Sequence, residues 1–188
     1  MIEFLKFYDL ENYILTEVKS NFLKNKSLDS FDFFCIIIWK ANRAKSKIAK
    51  RLLNYGPNLN QAVHDLTSKI YELKNDKDKL KILLEEYKFR LPMASAILSL
   101  LYPGNFTIYD VRVCDTLEKY KGLGNLKFEK LWEEYCEYID CVRNYGTQNL
   151  SLKDKDRLLW GKSFYDQLHS DIESNFSKVS SLNLKIIN

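Results

Sequence analysis

The chain has 188 residues, of which 46% are hydrophobic, and this is enough apolar material to bury the core of one domain. Six glycines and three prolines are too few for the closely spaced tight turns of an all-β protein, so the composition favours helices. The formal charge of +4 combines 29 basic with 25 acidic residues, an excess too small to indicate a nucleic-acid partner by itself.

Apolar residues recur at three- and four-residue steps along most of the chain, which is the spacing of amphipathic helices. Ser30 is predicted to cap the most apolar helix, and Pro92 to begin a helix of small residues suited to close packing. The predicted helices cover residues 2–23, 30–51, 59–73, 80–87, 92–101, 110–117, 128–145 and 153–176. This series of helices predicts an all-α helical bundle of about eight to ten helices. Residues 1–188 are expected to form one domain or two interleaved lobes, with residues 177–188 as a loosely ordered tail.

The four cysteines, Cys35, Cys114, Cys136 and Cys141, lie within apolar helical patterns and form no CxxC pair, so they are predicted to be reduced core residues. With only two histidines in the chain, no spacing resembles a metal site, and neither a metal nor a cofactor is predicted. The longest apolar run, residues 33–39, is too short to cross a bilayer, and the N-terminus lacks a signal-peptide pattern. The sequence therefore predicts a cytoplasmic protein with no membrane partner.

The tryptophans and histidines are interpreted as structural residues. Trp39, Trp132 and Trp160 fall in apolar patterns and are predicted to lie in the core, not to serve as stacking platforms. His64 and His169 are isolated in the sequence, and neither is expected to bind a metal.

One acidic residue, Asp110, follows the β-branched Thr107 and Ile108 at the point where a new helix is predicted to begin. A carboxylate in that position accepts amide hydrogens of the first helical turn, and such an N-cap contributes about 1 kcal/mol. The same carboxylate can act in catalysis if it faces a cleft. The two roles can coexist, and the sequence leaves both open. Asp115 lies five residues on, too far round the helix to form a carboxylate pair with Asp110.

The stretch that ends just after Asp110 reads LPMASAILSLLYPGNFTIYDVRV: a small-residue helix, a Pro-containing loop, a short extended piece and then the acid. It resembles the core of the helix–hairpin–helix DNA glycosylase superfamily, specifically across residues 90–113 and by helix order across residues 31–160. The resemblance implies a DNA-binding hydrolase of base excision repair that flips a damaged base out of the duplex. It also implies that Asp110 is catalytic, stabilising an oxocarbenium-like sugar cation and orienting or activating the attacking water.

Two features of that family are absent from the stretch. Residues 89–92, Phe-Arg-Leu-Pro, replace the hairpin glycines whose amides bind a DNA phosphate, so that contact is not expected here in the same form. Leu91 or Pro92 also falls where bifunctional members carry a lysine nucleophile, so a lyase activity is not expected. The chain is therefore expected to be a monofunctional glycosylase if it is active. The alternative is a catalytically inactive helical module that binds a protein partner or the DNA backbone.

Positive charge clusters at residues 40–51, which contain six basic residues and no acid, and form either a DNA-binding face or an ordinary solvated helix face. The segment LEKYKGLGNLKFEKL resembles a free-standing helix–hairpin–helix phosphate-binding motif, in which Gly122 and Gly124 aim amides at a phosphate; the alternative is a plain loop. Arg112 would either neutralise a phosphate or pair with a neighbouring acid. With double-stranded DNA as the expected partner, the candidate DNA-binding residues are Lys40, Arg43, Lys47, Lys50, Arg51, Arg90, Arg112, Lys121, Gly122, Gly124 and Lys127.

Overall fold

The computed structural model describes residues 2–147 and 149–176, and these form helices and no strand. The α-helices are α1 (Leu10–Tyr13), α2 (Lys19–Asn25), α3 (Ser30–Ala41), α4 (Lys45–Leu52), α5 (Leu59–Glu72), α6 (Asp76–Lys81), α7 (Leu91–Leu101), α8 (Val111–Leu117), α9 (Phe128–Asn144) and α10 (Leu152–Ser170). Turns of 3-10 helix lie at Ile2–Phe7, Asn42–Ala44 and Leu123–Asn125, and π-helical turns at Ile14–Val18, Ile82–Glu86 and Asp171–Phe176. The predicted all-α bundle is confirmed. The predicted tail, residues 177–188, lies outside the described residues.

One predicted helix cap is displaced by a residue. Asp29, not Ser30, is the N-cap of α3, and its carboxylate accepts a hydrogen bond from the Asp32 amide at 2.8 Å. A carboxylate is favoured in that position because its negative charge also interacts with the positive end of the helix dipole. By contrast, α7 begins with Pro92 in its first turn, as the sequence predicts.

Helix α7 lies at the centre of the buried core. Nine of its eleven residues are buried, and α2, α3 and α6 pack against it. Ala94, Ser95 and Ala96 are fully buried, and their small side chains let the neighbouring helices approach closely. The stretch that carries the family resemblance is therefore also the stretch around which the helices assemble.

An extended segment, residues 107–110, connects the loop after α7 to the start of α8. Two buried tyrosines of α9 and a buried serine of α7 hold three successive residues of its backbone. The hydrogen bonds run from Tyr135 Oη to the Thr107 carbonyl at 2.5 Å, from Tyr138 Oη to the Ile108 carbonyl at 2.7 Å, and from the Tyr109 amide to Ser95 Oγ at 2.9 Å. The position of Asp110 is therefore fixed from both sides by core helices.

Helix α10 packs against α8 and α9 through a buried stripe at helical spacing, formed by Leu152, Lys155, Asp156 and Leu159. Trp160 lies outside this stripe and is 43% exposed, so the prediction that it is a core residue is wrong. The sequence of α10 places apolar residues on several sides of the helix, so the spacing of its apolar residues does not identify which side is buried. Trp39 and Trp132 are partly buried and pack against the core, in agreement with the prediction for those two residues.

All four cysteines carry free thiols; Cys35 and Cys114 are buried, and Cys136 and Cys141 are partly buried. Burial raises the pKa of both the Cys35 and the Cys114 thiol to about 11, so both thiols are protonated and unreactive at neutral pH. Among residues 2–147 and 149–176, no helix combines the length and the apolar composition that a membrane span requires.

Candidate active-site cleft

A cleft of about 630 Å³ opens beside the N-terminus of α8, and residues of α3 and α10 also line it. Its volume lies in the range of small-molecule binding sites. Several side chains that contribute to its walls are charged or aromatic: Lys40, Asp110, Arg112, Asp156, Arg157 and Trp160. It is referred to below as the α8 cleft.

Asp110 lies in the α8 cleft and is also the N-cap of α8, so the predicted capping role is confirmed. Its Oδ1 accepts a hydrogen bond from the Arg112 amide at 3.1 Å, and its Oδ2 lies 2.6 Å from Lys40 Nζ. The Lys40 and Asp110 side chains are only 16% and 21% exposed, which makes their attraction stronger than that of a surface pair. This ion pair joins the last turn of α3 to the first turn of α8.

Arg112 lines the cleft beside Trp160, and its guanidinium contacts the rings of both Trp160 and Phe164. Its guanidinium carbon lies 5.2 Å from the centroid of Trp160 and 5.6 Å from that of Phe164, and its Nη1 donates to Gln167 Oε1 at 2.9 Å. The two rings are nearly parallel, with an angle of 6° between them. The ion pairs of the described residues do not include Arg112, so the alternative in which it pairs with a neighbouring acid is not supported. Its phosphate-binding role stays a prediction.

Asp156 is a buried carboxyl group in the same cleft that sequence reasoning missed. It is 8% exposed, and the buried Thr107 hydroxyl lies close to its carboxyl group. Burial raises the pKa of the Asp156 carboxyl to about 7; the nearby Lys40 ammonium and the Thr107 hydroxyl offset part of that rise, and the Asp110 carboxylate adds to it. The one available signal is that Asp156 falls between Leu152 and Leu159 at the spacing of a buried helical stripe, where an ionisable residue is unusual.

The rim of the cleft carries an ion pair between α1 and α10. Arg157 Nη2 lies 2.8 Å from Glu11 Oε1, and both side chains are exposed by more than two fifths. A pair this exposed contributes little to stability, at most about 1 kcal/mol. Its main consequence is electrostatic, because it places a matched positive and negative charge at the edge of the cleft.

The other residues of the predicted basic face follow Lys40 in the chain, in the turn after α3 and on α4. Arg43, Lys47 and Lys50 are exposed, and among the described residues none of the three takes part in an ion pair. Arg51 is partly buried, and its guanidinium donates to the Lys88 carbonyl, so part of its hydrogen-bonding capacity is used within the protein. Three unpaired cations are thus available to a partner near the end of α3 and on α4.

Arg90, Gly122 and Gly124 line a second cavity, of about 580 Å³, which is distinct from the α8 cleft. A groove of about 400 Å³ lies next to both, because it shares Lys40 and Asp110 with the cleft and Gly122 with the second cavity. The predicted residues that line these three adjoining depressions are Lys40, Arg90, Asp110, Arg112, Lys121, Gly122 and Gly124. The other predicted residues line none of the three: Arg43, Lys47, Lys50, Arg51 and Lys127.

The loop with Gly122 and Gly124 uses several of its amides internally. Gly122 needs its glycine because φ is +85°. The loop's hydrogen bonds run from the Leu123 amide to Tyr109 Oη at 3.2 Å, from the Asn125 amide to the Gly122 carbonyl at 3.0 Å, and from the Leu126 amide to the Leu123 carbonyl at 3.0 Å. These bonds favour the plain-loop alternative, and phosphate binding at this loop stays a prediction.

The two lysines that flank the glycine loop are both exposed. Lys121 Nζ lies 2.7 Å from the Asp115 carboxylate, an exposed pair that competes only weakly with a phosphate. Lys127 is the N-cap residue of α9 and makes no side-chain capping bond.

The α8 cleft combines an ion-paired carboxylate, Asp110, with a buried carboxyl, Asp156, that can take up or release a proton near neutral pH. Two carboxyl groups in different environments are the arrangement that general acid–base chemistry uses. No group of three His, Cys, Asp or Glu side chains in the described part of the chain is arranged to hold a metal ion. No family model, curated protein or solved structure matches the chain, so its function has to be argued from the cleft itself.

Proposed function

We propose that the protein binds duplex DNA and that the α8 cleft hydrolyses the N-glycosidic bond of a nucleotide extruded from the duplex. The observation that carries the proposal is the position of Asp110, a partly exposed carboxylate in a cleft of about 630 Å³ that also contains an exposed tryptophan. An extruded base needs both a pocket and a flat surface for stacking, and the aromatic and guanidinium groups of Trp160 and Arg112 supply such a surface.

In the proposed reaction the bond between the base nitrogen and C1′ of the sugar breaks, and its electron pair leaves with the base. The Asp110 carboxylate stabilises the positive charge that develops on the sugar. A water molecule then adds its oxygen to C1′ and gives one proton to Asp110, which later releases it to solvent, while the departing base takes up a proton from solvent. Lys40 holds the carboxylate in place at 2.6 Å, and the backbone bonds of residues 107–110 keep it from moving away.

Substitution of Asp110 by Asn is expected to abolish excision while leaving DNA binding intact. Asn also caps helices well, so the start of α8 should be retained and the main loss is the negative charge. Removal of a catalytic acid–base group lowers rates by about 10² to 10⁴-fold. The measurement is single-turnover excision on duplexes that carry a panel of damaged bases, with binding to a duplex containing an abasic-site analogue measured alongside.

Asp115→Asn is the matched control, because Asp115 lies on the same helix but is exposed and outside the cleft. It should leave both excision and binding at wild-type values. Equal excision by the Asp110→Asn variant and the wild type would remove Asp110 from the chemistry.

Binding to DNA is expected to weaken as salt rises, and the unpaired lysines of α4 should contribute to that dependence. Each phosphate neutralised contributes about 0.9 to the slope of log affinity against log salt concentration. The double variant Lys47→Gln/Lys50→Gln is therefore expected to lower the slope by about one to two. The control is Lys77→Gln/Lys130→Gln, in which both lysines are already paired with glutamates. If the affinity of the wild-type protein for DNA does not change with salt concentration, binding to the DNA backbone is contradicted.

A second candidate function is binding without catalysis, to the DNA backbone or to a protein partner. It is favoured by the state of Asp110, since both of its oxygens already accept hydrogen bonds from within the protein. Salt-dependent binding with no excision of any base in the panel is the result expected for a DNA-binding module of this kind.

A further inference from the structure

Helix α10 and the π-helical turn that continues it carry a second apolar stripe, on the side opposite the buried one. Leu158, Tyr165, Leu168 and Ile172 form this stripe, and each is between 41% and 62% exposed. Their spacing of seven, three and four residues, with Gly161 between the first two, is the a/d pattern of a coiled coil. This stripe is called the α10 seam below. An exposed seam with that pattern is suited to pairing with another helix.

The exposed apolar area around the α10 seam is large for a monomer. From residue 160 to residue 176, no side chain that the structure describes is buried. Phe164 and Phe176 also lie on this part of the chain and are exposed to a similar degree as the four seam residues. Taking half of roughly 150–250 Å² for each of the six large side chains gives about 600 Å². That is the upper end for the largest apolar patch of a monomer, and about 1,200 Å² from two copies reaches the size of a specific interface.

The charged residues beside the α10 seam match a second copy that runs in the opposite direction. Arg157, Phe164 and Asp171 follow one another at seven-residue steps, so they share one heptad position beside the seam. In an antiparallel pair centred on Phe164, Arg157 of each copy lies opposite Asp171 of the other. A parallel pair would instead bring like charges together at both positions, which is unfavourable.

The two halves of the helix have the same polarity as this pair of residues. Outside the buried stripe, residues 152–162 carry three basic residues and one acid, and residues 163–176 carry three acids and neither lysine nor arginine. Antiparallel pairing therefore sets a basic half against an acidic half at both ends. The existing contact of Arg157 with Glu11 is exposed and competes only weakly with a new partner.

We propose that the protein forms an antiparallel homodimer through the α10 seam. The interface is self-complementary, with the same patch of each copy meeting itself about a twofold axis near Phe164. The apolar seam supplies the buried area, and the flanking charges select the direction of pairing. Trp160 lies about a third of a turn round the helix from the seam, so pairing leaves this side chain to the α8 cleft. The dimer does not rest on the proposed function of the cleft.

Sedimentation equilibrium of the full chain at concentrations up to 100 μM tests the dimer. Wild type is expected to approach twice the chain mass of 22.3 kDa. The variant Tyr165→Glu/Ile172→Glu places charges in the seam and should raise the dissociation constant at least thirtyfold. The control is Leu5→Glu/Leu53→Glu, which changes two exposed leucines of other elements and should dimerise as wild type does. Near-ultraviolet circular dichroism checks that each variant is folded.

Charge reversal tests the direction of pairing. Arg157→Glu and Asp171→Arg should each raise the dissociation constant at least fivefold at low salt, and the double variant should return to within twofold of wild type, because the opposite charges again face each other. Failure of the double variant to recover overturns the antiparallel arrangement.

Three other results overturn the proposal. Dimerisation that survives Tyr165→Glu/Ile172→Glu would place the interface elsewhere. A monomeric wild type that dimerises only in the full-chain variant Leu182→Ser/Leu184→Ser would assign the seam to the chain's own residues 177–188. A protein that is monomeric in both forms would leave the seam to a different protein.

Discussion

The free energy of unfolding is expected to decrease as the pH rises from about 4 to about 8. Part of this decrease is due to the Asp156 carboxyl, and the substitution Asp156→Asn is expected to remove most of that part. Burial raises the pKa of Asp156 from its ordinary value of 3.8 to about 7 in the folded protein. Between those values the folded state retains a proton that the unfolded state has released. The contribution of the Asp156 proton to the free energy of unfolding is therefore fully present below pH 3.8 and is lost as the pH rises through 7. A pKa shift of this size corresponds to about 4 kcal/mol.

Urea unfolding at intervals between pH 4.5 and 8.5 measures this effect. Other groups titrate in the same range, so the decisive quantity is the difference between wild type and Asp156→Asn at each pH. The relative stability of the variant should increase with pH, and exposed Asp166→Asn should show no such trend. Parallel curves for wild type and Asp156→Asn would show that the carboxyl is not buried as the structure has it.

The order of the helices could be predicted from the sequence because it depends on local spacing. The cap at Asp110 was predictable for the same reason, since the acid and the amide that it accepts from lie two residues apart. Apolar periodicity and the small residues of α7 indicated the core, in which Ala94 and Ala96 are fully buried. These properties are set within one or two helical turns of each residue.

The composition of the cleft could not be predicted, because it depends on contacts between distant parts of the chain. Lys40 and Asp110 are 70 positions apart, and nothing local indicates that they form a pair. Asp156 is buried only because α8 and α9 pack on that side of α10. Trp160 was assigned to the core for the opposite reason, since its apolar neighbours gave no sign that this side of α10 faces a cleft.

Breaking the Lys40–Asp110 pair with Lys40→Met is expected to lower the free energy of unfolding by about 2 kcal/mol. The estimate lies between the 3–5 kcal/mol typical of breaking a fully buried pair and the 0–1 kcal/mol of a surface pair, because about four fifths of each side chain is buried. Methionine keeps most of the apolar stem of lysine, so the loss is chiefly that of the charge. Lys121→Met is the matched control: its pair with Asp115 has nearly the same length, 2.7 Å, but both side chains are exposed, and no measurable loss is expected.

The same substitution should also change the titration of the cleft, and this separates an electrostatic effect from a packing effect. Lys40 lowers the pKa of Asp156, so Lys40→Met should raise that pKa above about 7 and move the pH-dependent loss of stability upward. Adding Asp110→Asn to Lys40→Met removes the second carboxylate. It should reverse much of the loss of stability and much of the rise in the pKa of Asp156, and a double-mutant cycle measures this directly. If Lys40→Met and Lys121→Met destabilise the protein equally, the Lys40–Asp110 pair has no special role. If Lys40→Met loses more stability than Lys121→Met but leaves the pKa of Asp156 unchanged, the loss is due to packing of the lysine stem.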